Sequence, residues 1–455
     1  MENRILLFFT GCFTLLLSSC LGSGDDYEID IAKNCQISSF SLSHDSIPEL
    51  ETTKFTIDQI GGRIFNADSL PYGTKVDKVI AKVSYISSIS IGTVQVMQEA
   101  VGDTIYWNGN DSLDYSKPVI FLITAYDGET KKAYETKLNI HQVIPDSMVW
   151  TLENGNLPGT SVIERKVIAF APENVEQYYM FTRNAEGNNL YTANPSDLSN
   201  WESKQLTGLP AAQVKWEFLN EYEGQLYVPA SDQKLYRSSN GKAWEVVDNS
   251  PAVVSVLGVL KEEKTAKIPS ALAIIASVDG LSHFASMNKE GVWTVGKTVP
   301  AQFPLSGSAV LSYNQMFRER LLLAGGKNAG GSILSDIWST MDGLNWVSTN
   351  PLQGFGNREG ASIAQYDSTF FLIGGFDKDG KALKDIYRSR DNGITWALSD
   401  TLVVMPQTYK ARAYASMIVD NKTNFMYLFG GKDAKGKNDL EELWRGRINR
   451  LGFRK

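Results

Sequence analysis

The sequence has few of the residues that build metal centres, disulfide scaffolds and nucleic-acid surfaces. It contains 3 Cys and 3 His in 455 residues, which is too few for a histidine-based metal site. Its 44 Lys and Arg are outnumbered by 51 Asp and Glu, so the net charge is -7, and no basic block occurs. Nucleic-acid binding needs a basic surface facing the phosphates. That class is therefore excluded, and we predict no metal and no cofactor.

Long apolar runs are also missing, except for Ile5–Leu17 near the N-terminus. This run is shorter than the roughly 20 residues that span a bilayer, so it predicts a signal peptide over residues 1–19. The next motif, Leu17-Ser18-Ser19-Cys20, resembles a bacterial lipobox, which implies a lipid on Cys20 and attachment to a membrane. With Cys12 removed and Cys20 acylated, only Cys35 remains, so we expect no intramolecular disulfide.

Residues 20–35 predict an acidic tether, because they are polar and carry Asp25, Asp26, Glu28 and Asp30. In lipoproteins of Gram-negative anaerobes such a cluster resembles an export tag for the outer face of the outer membrane. A plain solvated tether is the alternative. We therefore expect an outer membrane lipoprotein, on the periplasmic face or on the cell surface.

Residues 36–140 predict a small β-sandwich. About seven short stretches alternate apolar and polar residues, and Asp127-Gly128 lies between the runs Val119–Ala125 and Ala133–Ile140. Asp-Gly between alternating runs is typical of a β-hairpin, since both residues tolerate positive φ. The number and spacing of the strands favour an immunoglobulin-like sandwich, without the cysteine pair of true immunoglobulin domains.

Tryptophan recurs at intervals of 43 to 53 residues in residues 147–455, and a proline follows each one. An apolar stretch and an aromatic residue precede all but the first. A period of about 50 residues with several short strands is typical of propeller blades. The recurring residues are Trp150, Trp201, Trp244, Trp293, Trp346 and Trp396. Because they keep one register in every repeat, we interpret them as core residues.

The two ends of this region predict how the ring closes. Three strands follow Pro406 without a tryptophan strand, whereas Trp150 has a strand but no preceding repeat. An open ring would leave unpaired strand edges, so residues 147–152 should complete the sheet that contains Tyr427. The predicted fold is all-β: a small β-sandwich followed by a six-bladed β-propeller closed by an N-terminal strand.

Motifs in the last blades resemble known repeat families. Gly325-Gly326, Gly374-Gly375 and Gly430-Gly431, each followed by an aromatic residue, resemble kelch repeats. Ser389–Trp396 is similar to the Asp box, with degraded copies at Ser339–Trp346 and Ser238–Trp244. This resemblance implies that Asp391 bonds backbone amides in its own hairpin and is not catalytic. The whole order resembles envelope lipoproteins with an immunoglobulin-like sandwich and a kelch-like propeller, which implies no particular activity.

The sequence lacks the residues that two classes of enzyme on such propellers require. A sialidase-like site would need an Arg-Ile-Pro motif near the start, which is absent, and a copper-radical oxidase would need a cysteine crosslink and histidine ligands. No cysteine follows Cys35, and only His283 lies within the propeller. Asp377-Lys378-Asp379-Gly380 lacks the later ligands of a calcium loop and is interpreted as a charged turn.

The loops that enter each innermost strand form the face on which propellers usually bind ligands. Arg358 and Arg412 occupy equivalent places in adjacent blades, beside aromatic residues. Two guanidinium groups next to aromatic rings suit a carboxylate-bearing or hydroxyl-rich ligand, through bidentate hydrogen bonds and stacking. The alternative is that both arginines satisfy backbone carbonyls or pair with Glu359. The candidate ligand-binding residues are Trp216, Phe355, Arg358, Glu359, Tyr409, Arg412 and Tyr414.

We therefore expect a lipid-anchored binding protein that presents its propeller to a glycan or an envelope protein, without catalysis. The alternative is a carbohydrate-active enzyme, a glycoside hydrolase or lyase, and a structural subunit of an envelope complex is a third interpretation.

Overall fold

The computed structural model describes residues 33–210, 213–264, 267–349, 354–433 and 439–450. The predicted signal peptide, Cys20 and most of the tether lie outside the described residues. The chain divides into two compact units at Ile144 and Pro145. Nearly all regular structure is strand, and the one α-helix of the described residues is the single turn α1 (Glu49–Thr52). This part of the chain contains no helix of the length and apolarity that a membrane span requires.

The N-terminal unit is built from two sheets. One has three strands in the order β1-β4-β7, and the other has six in the order β2-β3-β9-β8-β5-β6. The strands are β1 (Ile37–Ser43), β2 (Phe55–Asp58), β3 (Arg63–Asn66), β4 (Val79–Tyr85), β5 (Ile91–Gln98), β6 (Asp103–Tyr106), β7 (Ser112–Leu113), β8 (Val119–Ala125) and β9 (Lys131–Lys137).

The predicted hairpin is present, with a longer turn than the sequence indicated. In β8 every second side chain is buried, and Phe121 packs edge-on against Phe40 of the other sheet at 5.9 Å. Gly128 adopts φ +75°, whereas the Asp127 carboxylate accepts the N–H groups of Glu129 and Thr130. Asp127 therefore acts here as an acceptor for the turn's amides.

The C-terminal unit contains six four-stranded antiparallel sheets in the described residues, and a short two-stranded pair, β23 with β26. Each four-stranded sheet is formed by segments that follow one another in the sequence, except that β10 joins the last sheet and β26 lies between two strands of the fourth sheet along the chain. The strands are β10 (Met148–Asn154), β11 (Glu164–Phe170), β12 (Gln177–Asn184), β13 (Gly187–Asn194), β14 (Asp197–Lys204), β15 (Asn220–Tyr222), β16 (Gln225–Pro229), β17 (Leu235–Ser238), β18 (Glu245–Val246), β19 (Ala252–Leu260), β20 (Ala271–Val278), β21 (Leu281–Met287), β22 (Trp293–Thr298), β23 (Pro304–Ser306), β24 (Ala309–Gln315), β25 (Arg318–Ala324), β26 (Lys327–Asn328), β27 (Ile337–Thr340), β28 (Trp346–Thr349), β29 (Ser362–Tyr366), β30 (Thr369–Ile373), β31 (Ile386–Ser389), β32 (Ala397–Leu398), β33 (Ser416–Asp420), β34 (Phe425–Phe429) and β35 (Leu443–Ile448).

Strand β10 belongs to the sheet formed by the end of the chain. It pairs antiparallel with β35, with Trp150 opposite Gly446, and β35 pairs with β34, which contains Tyr427. The predicted pairing of the first strand with this sheet is therefore present. A Cβ on Gly446 would lie 2.6 Å from the Trp150 ring, so glycine at this position allows the indole to pack flat on the strand.

The recurring tryptophans lie in, or directly before, the outermost strand of each sheet. Trp244 and Trp396 are buried, whereas the other four are half-buried. Six apolar clusters each draw their residues from two neighbouring sheets. One of them joins the last sheet to the first, where Phe429 packs edge-on against Tyr178 at 5.7 Å. The core of this unit therefore lies between its sheets.

The Asp-box-like loop before Trp396 has the internal bonding that its sequence predicts. Asp391 accepts the Thr395 N–H at 2.9 Å and the Ser389 hydroxyl at 2.8 Å. The Trp396 indole N–H donates to the Gly393 carbonyl at 3.0 Å. The loops before Trp346 and Trp244 repeat this geometry with Asp342 and Asn240 in place of Asp391. The carboxylate of Asp391 is therefore used within its own hairpin.

Candidate functional site

The first strands of several sheets line one cavity in the C-terminal unit, with a volume of about 530 Å³. On β11, Arg165 and Val167 are buried between sheets, so the alternation of the strand turns Glu164 and Lys166 toward the cavity. Val256 of β19, Val310 of β24 and Ser416 of β33 contribute further walls. The cavity thus collects side chains from segments far apart in the sequence.

A short 3₁₀ turn, Trp216–Phe218, brings a carboxylate into this cavity. Trp216 and Phe218 are buried, while Glu217 between them lines the cavity. The turn is fixed by the Glu217 N–H, which donates to Glu164 Oε1 at 2.7 Å.

The electrostatic surroundings of Glu217 are unusual for a carboxylate. Burial and the neighbouring charge of Glu164 raise the pKa of Glu217 to about 7, against the opposing charges of Lys166 and Lys432. Burial also lowers the pKa of Lys166, although Glu217 and Glu164 partly oppose this shift. Near neutral pH the cavity therefore holds a carboxyl group that is ionised in part of the molecules.

Tyr414 and Glu359 form a hydrogen-bonded pair beside the cavity. The Tyr414 hydroxyl donates to Glu359 Oε1 in a short hydrogen bond, and Lys327 Nζ lies 2.9 Å from Glu359 Oε2. Burial and the bond to Glu359 raise the pKa of Tyr414 well above its usual range, so the phenol stays protonated. The Lys432 ammonium lies 5.0 Å from the centre of the Tyr414 ring.

Tyr414 occupies a backbone position that glycine fills in the two preceding sheets. Its φ of +58° matches +68° at Gly360 and +65° at Gly307. The Tyr414 N–H donates to the Gly360 carbonyl, and the Gly360 N–H donates to the Gly307 carbonyl, both at 2.6 Å. A Cβ on Gly360 would lie 2.7 Å from the Tyr414 ring. A tyrosine in this left-handed conformation is costly, and such outliers cluster at functional sites.

Three of the four aromatic residues of the predicted ligand face, all except Tyr414, are core residues. Trp216 is fully buried, stacks on Phe181 with ring centres 4.4 Å apart, and donates its indole N–H to Asn188 Oδ1 at 3.0 Å. Phe355 packs edge-on against Trp396 at 5.5 Å, and Tyr409 packs edge-on against Trp444 at 5.5 Å. None of the three presents a ring to solvent for stacking on a sugar.

The guanidinium group of Arg358 is hydrogen-bonded to groups of the protein itself. Its side chain is 2% exposed. Its guanidinium donates to the Phe355 carbonyl, to the Gly374 carbonyl at 3.0 Å and to Asp385 Oδ1 at 3.1 Å. The alternative interpretation, in which the arginine satisfies carbonyls, therefore describes the structure, although the acidic partner is Asp385 and not Glu359.

Arg412 repeats this arrangement one sheet later. It donates to the Gly430 carbonyl at 3.0 Å and to Glu442 Oε2 at 2.5 Å, and its guanidinium lies 4.2 Å from the centre of the Tyr409 ring. The sequence thus predicted correctly that Arg358 and Arg412 are equivalent. The expectation that they offer free guanidinium groups is corrected, because both are buried between a Gly-Gly carbonyl and a carboxylate.

The structure also explains the glycine pairs before these arginines. The Gly326 N–H donates to the Arg358 carbonyl at 2.8 Å, and the Gly375 N–H donates to the Arg412 carbonyl at 2.9 Å. A Cβ on Gly325 would lie 2.4 Å from the Arg358 carbonyl oxygen. Glycine is required here for close approach of the next sheet's loop.

No group of three potential metal-binding side chains comes together in the part of the chain that the structure describes. Asp377 accepts the N–H groups of Asp379 and Lys381, as expected of a charged turn.

The profile described as the DUF6242 beta propeller domain matches residues 144–455, and the profile of the DUF6242 N-terminal domain matches residues 32–138. The chain belongs to the DUF6242 family. Its C-terminal unit is accordingly a β-propeller domain.

The search of curated proteins found no match for this DUF6242 chain. A solved structure, titled "Structure of YjhT", is similar with a TM-score of 0.46 and 14% identity, over 63% of this chain and 96% of that one.

Reasoning from the sequence missed most of the charged residues in the DUF6242 propeller's cavity. Glu359 and Tyr414 were predicted and lie together, whereas Glu164, Lys166, Glu217 and Lys432 were not singled out. One signal was available, because Lys166 directly precedes the apolar run from Val167 to Phe170 in β11. A second was Glu217, a charge between two aromatic residues.

Proposed function

We propose that this protein is a lipid-anchored envelope protein whose propeller binds a small polar ligand, a glycan fragment or part of an envelope protein, in its central cavity. One observation carries the proposal: a cavity of about 530 Å³ that contains charged side chains from distant segments. This volume lies within the range of small-molecule sites, about 300–1,000 Å³. The binding residues proposed on this basis are Tyr414, Lys166, Glu217 and Lys432, together with Glu359, which accepts the Tyr414 hydroxyl.

The experiment compares ligand binding before and after the cavity is filled. Leu305 lines the cavity, so Leu305→Trp should abolish binding of any glycan that a glycan array detects for the unmodified chain. Val347→Trp is the matched control, because Val347 is an exposed residue of the outer strand β28. If both variants keep the same glycan profile, the ligand binds elsewhere and the proposal fails.

The envelope location is proposed from the lipobox-like motif at Cys20. Cells grown with a labelled fatty acid should label the wild-type chain in its membrane fraction, and Cys20→Ala should lose both the label and the membrane association. Label that persists in this variant would contradict the assignment of Cys20.

We also propose that the six sheets are the six blades of a closed propeller, with β10 as the closing strand. Two observations support this: β10 completes the sheet of β33, β34 and β35, and an apolar cluster joins that sheet to the one that begins with β11.

One observation favours an enzyme as the second candidate. Glu217 has a pKa of about 7 in the cavity, which is the range that suits a general acid or base. A glycoside hydrolase or lyase would release reducing ends or unsaturated products from the glycan that binds. Glu217→Gln should then abolish product release while binding persists. Binding without product release by the wild type would reject the enzyme.

A further inference from the structure

The charge of the cavity differs in sign from that of the whole chain. The protein carries a net charge of -7, yet the cavity is lined by five cationic and three acidic side chains. The excess of two positive charges rises to three when Glu217 is protonated. The cationic residues are Arg165, Lys166, Arg183, Lys215 and Lys432, and the acidic ones are Glu164, Glu217 and Asp439.

Two of the five cations are neutralised by ion pairs within the protein. Arg165 pairs with Asp439 at 2.5 Å, and both side chains are nearly inaccessible to solvent. Arg183 pairs with Glu164 at 3.1 Å. These two pairs consume two of the three acids, so only Glu217 remains to balance the lysines.

The three lysines differ in the hydrogen bonds and ion pairs that their ammonium groups make within the protein. Lys215 Nζ donates to the Val254 carbonyl at 3.1 Å. Among the described residues, the ammonium groups of Lys166 and Lys432 have neither a hydrogen bond nor an ion pair within 4 Å, although both act electrostatically on Glu217. Burial removes hydration from the Lys166 ammonium group, which is costly without a partner. Within the described part of the chain, the half-buried Lys432 has only the face of the Tyr414 ring, whose centre lies 5.0 Å from its Nζ. The cost is offset when a ligand supplies the opposite charge.

We infer that the cavity's ligand is a small hydroxylated anion whose carboxylate or phosphate group lies near the ammonium groups of Lys166 and Lys432. This inference rests on the proposed binding function and specifies its chemical class. Anionic oxygens provide the charge-assisted hydrogen bonds that both ammonium groups lack. The carboxyl group of Glu217 and the phenol of Tyr414 are placed to hydrogen-bond the ligand's hydroxyls. A neutral saccharide would leave both lysines unsatisfied.

The test uses the full chain and four probes: D-glucuronate, glucose 6-phosphate, D-glucose and inorganic phosphate. Dissociation constants are measured by calorimetry, and unfolding midpoints are measured at ionic strength matched with sodium chloride. We expect at least one of the two sugar anions to bind tenfold or more tightly than glucose. Inorganic phosphate should raise the unfolding midpoint above that in chloride by more in the wild type than in Lys166→Met, because its general stabilising effect on folded proteins is common to both chains. The ranking of glucuronate against glucose 6-phosphate identifies the anionic group.

Two cavity variants and a matched control locate the effect. Lys166→Met and Lys432→Met should each weaken binding of the preferred sugar anion tenfold or more, and should weaken glucose binding by a much smaller factor. Lys297→Met removes the same charge from an exposed position in β22 and should change neither. Unfolding of each variant without ligand shows that it is folded. Because Lys166→Met removes a desolvated charge, its fold should be maintained.

The outcomes separate this inference from the proposed function. Glucose binding as tightly as both sugar anions, abolished by Leu305→Trp, would overturn the anion inference and leave the binding function in place. Equal anion affinity in Lys166→Met, Lys432→Met and the wild type would also overturn it. If no anion, phosphate included, raises the unfolding midpoint above that in chloride, the inference is wrong. Binding insensitive to Leu305→Trp counts instead against the proposed function.

Discussion

Glu217 shows how a single residue couples the cavity to the stability of the fold. Its pKa rises from an ordinary value of 4.5 to about 7, chiefly because of burial. Between these two pH values the folded chain holds a proton that the unfolded chain releases. The stabilising contribution is therefore fully present below about pH 4.5 and is lost as the pH rises through 7. Its size is about 2–3 kcal/mol for this half-buried group.

The corresponding prediction concerns Glu217→Gln, which cannot ionise. Between pH 4.5 and pH 8 the wild type should lose about 2–3 kcal/mol of unfolding free energy relative to this variant. Denaturant unfolding across that pH range measures the difference. The nearby charged groups, Glu164, Lys166, Lys432 and Glu359, are common to both chains and cancel. Parallel pH profiles would show that Glu217 titrates normally.

Arg412 supports a second prediction at this scale. Its side chain is 1% exposed and its partner Glu442 is 16% exposed, so Arg412→Met leaves a carboxylate without its main counter-charge. We expect a loss of about 2–4 kcal/mol in unfolding free energy, measured by denaturant titration. Lys410→Met is the control, since Lys410 lies 3.4 Å from the same Glu442 but is 65% exposed. It should cost less than about 1 kcal/mol, and equal losses would contradict the buried-pair argument.

The sequence predicted that Arg358 and Arg412 are equivalent, but it could not predict the residues with which they pair. Their equivalence follows from the repeat, because residues at one repeat position occupy one structural position. Their partners, Asp385 and Glu442, lie 27 and 30 residues away. No motif in the sequence indicates that either acid pairs with its arginine. Whether a buried guanidinium group is free or satisfied depends on such tertiary contacts. The sequence alone therefore left both interpretations open.

Several hairpins of the propeller have two-residue turns with positive φ at both positions, and in one of these hairpins neither turn residue suits that conformation. The two-residue turns Glu223-Gly224 and Asp367-Ser368 have positive φ at both positions, and so does Met316-Phe317 between β24 and β25. Such turns favour Asn, Asp and Gly. Met316 and Phe317 are 87% and 77% exposed, so burial does not compensate for their left-handed backbone.

We predict that replacing this turn by Asn-Gly stabilises the protein. The double variant Met316→Asn/Phe317→Gly should gain about 1–2 kcal/mol, because each non-glycine residue in the left-handed region costs about 1 kcal/mol or more. The shift of the denaturation midpoint measures the gain. Asp279→Asn is the control, because Asp279-Gly280 already suits its turn, and it should change little. An unchanged or lower midpoint in the double variant would mean that the tip contributes contacts to the folded state.

The elements were predictable where local chemistry decides them. Val119–Ala125 was predicted with its exact bounds, since strict alternation fixes which face is buried. The loop around Asp391 was predictable because its hydroxyl, carboxylate and glycine act within eight residues. The cavity was not predictable in this way, because β11, β19, β24 and β33 each contribute a few residues to it. Their side chains meet only after the sheets have packed.

At the scale of the whole molecule, the pairing of β10 with β35 joins the start of the propeller region to its end. We predict that a chain starting at Leu157 unfolds at a lower temperature than one starting at Gln142, or is insoluble, because it leaves the edge of β35 unpaired. Both chains lack the N-terminal unit, so the comparison isolates the segment that contains β10. Thermal unfolding followed by circular dichroism measures the difference.

A point variant tests the same strand within the full chain. Gly446→Val would place side-chain atoms where the Trp150 ring lies, since even a Cβ would approach within 2.6 Å. It should therefore displace β10 and lower the unfolding temperature. Gly291→Val is the control, because a Cβ on that turn glycine meets nothing within 4 Å, and only its φ of +77° adds strain. If both chain lengths melt together and Gly446→Val costs no more than Gly291→Val, β10 contributes little and the proposed closure fails. A lower unfolding temperature in both tests would mean that the propeller depends on a strand more than 250 residues away from its partner in sequence.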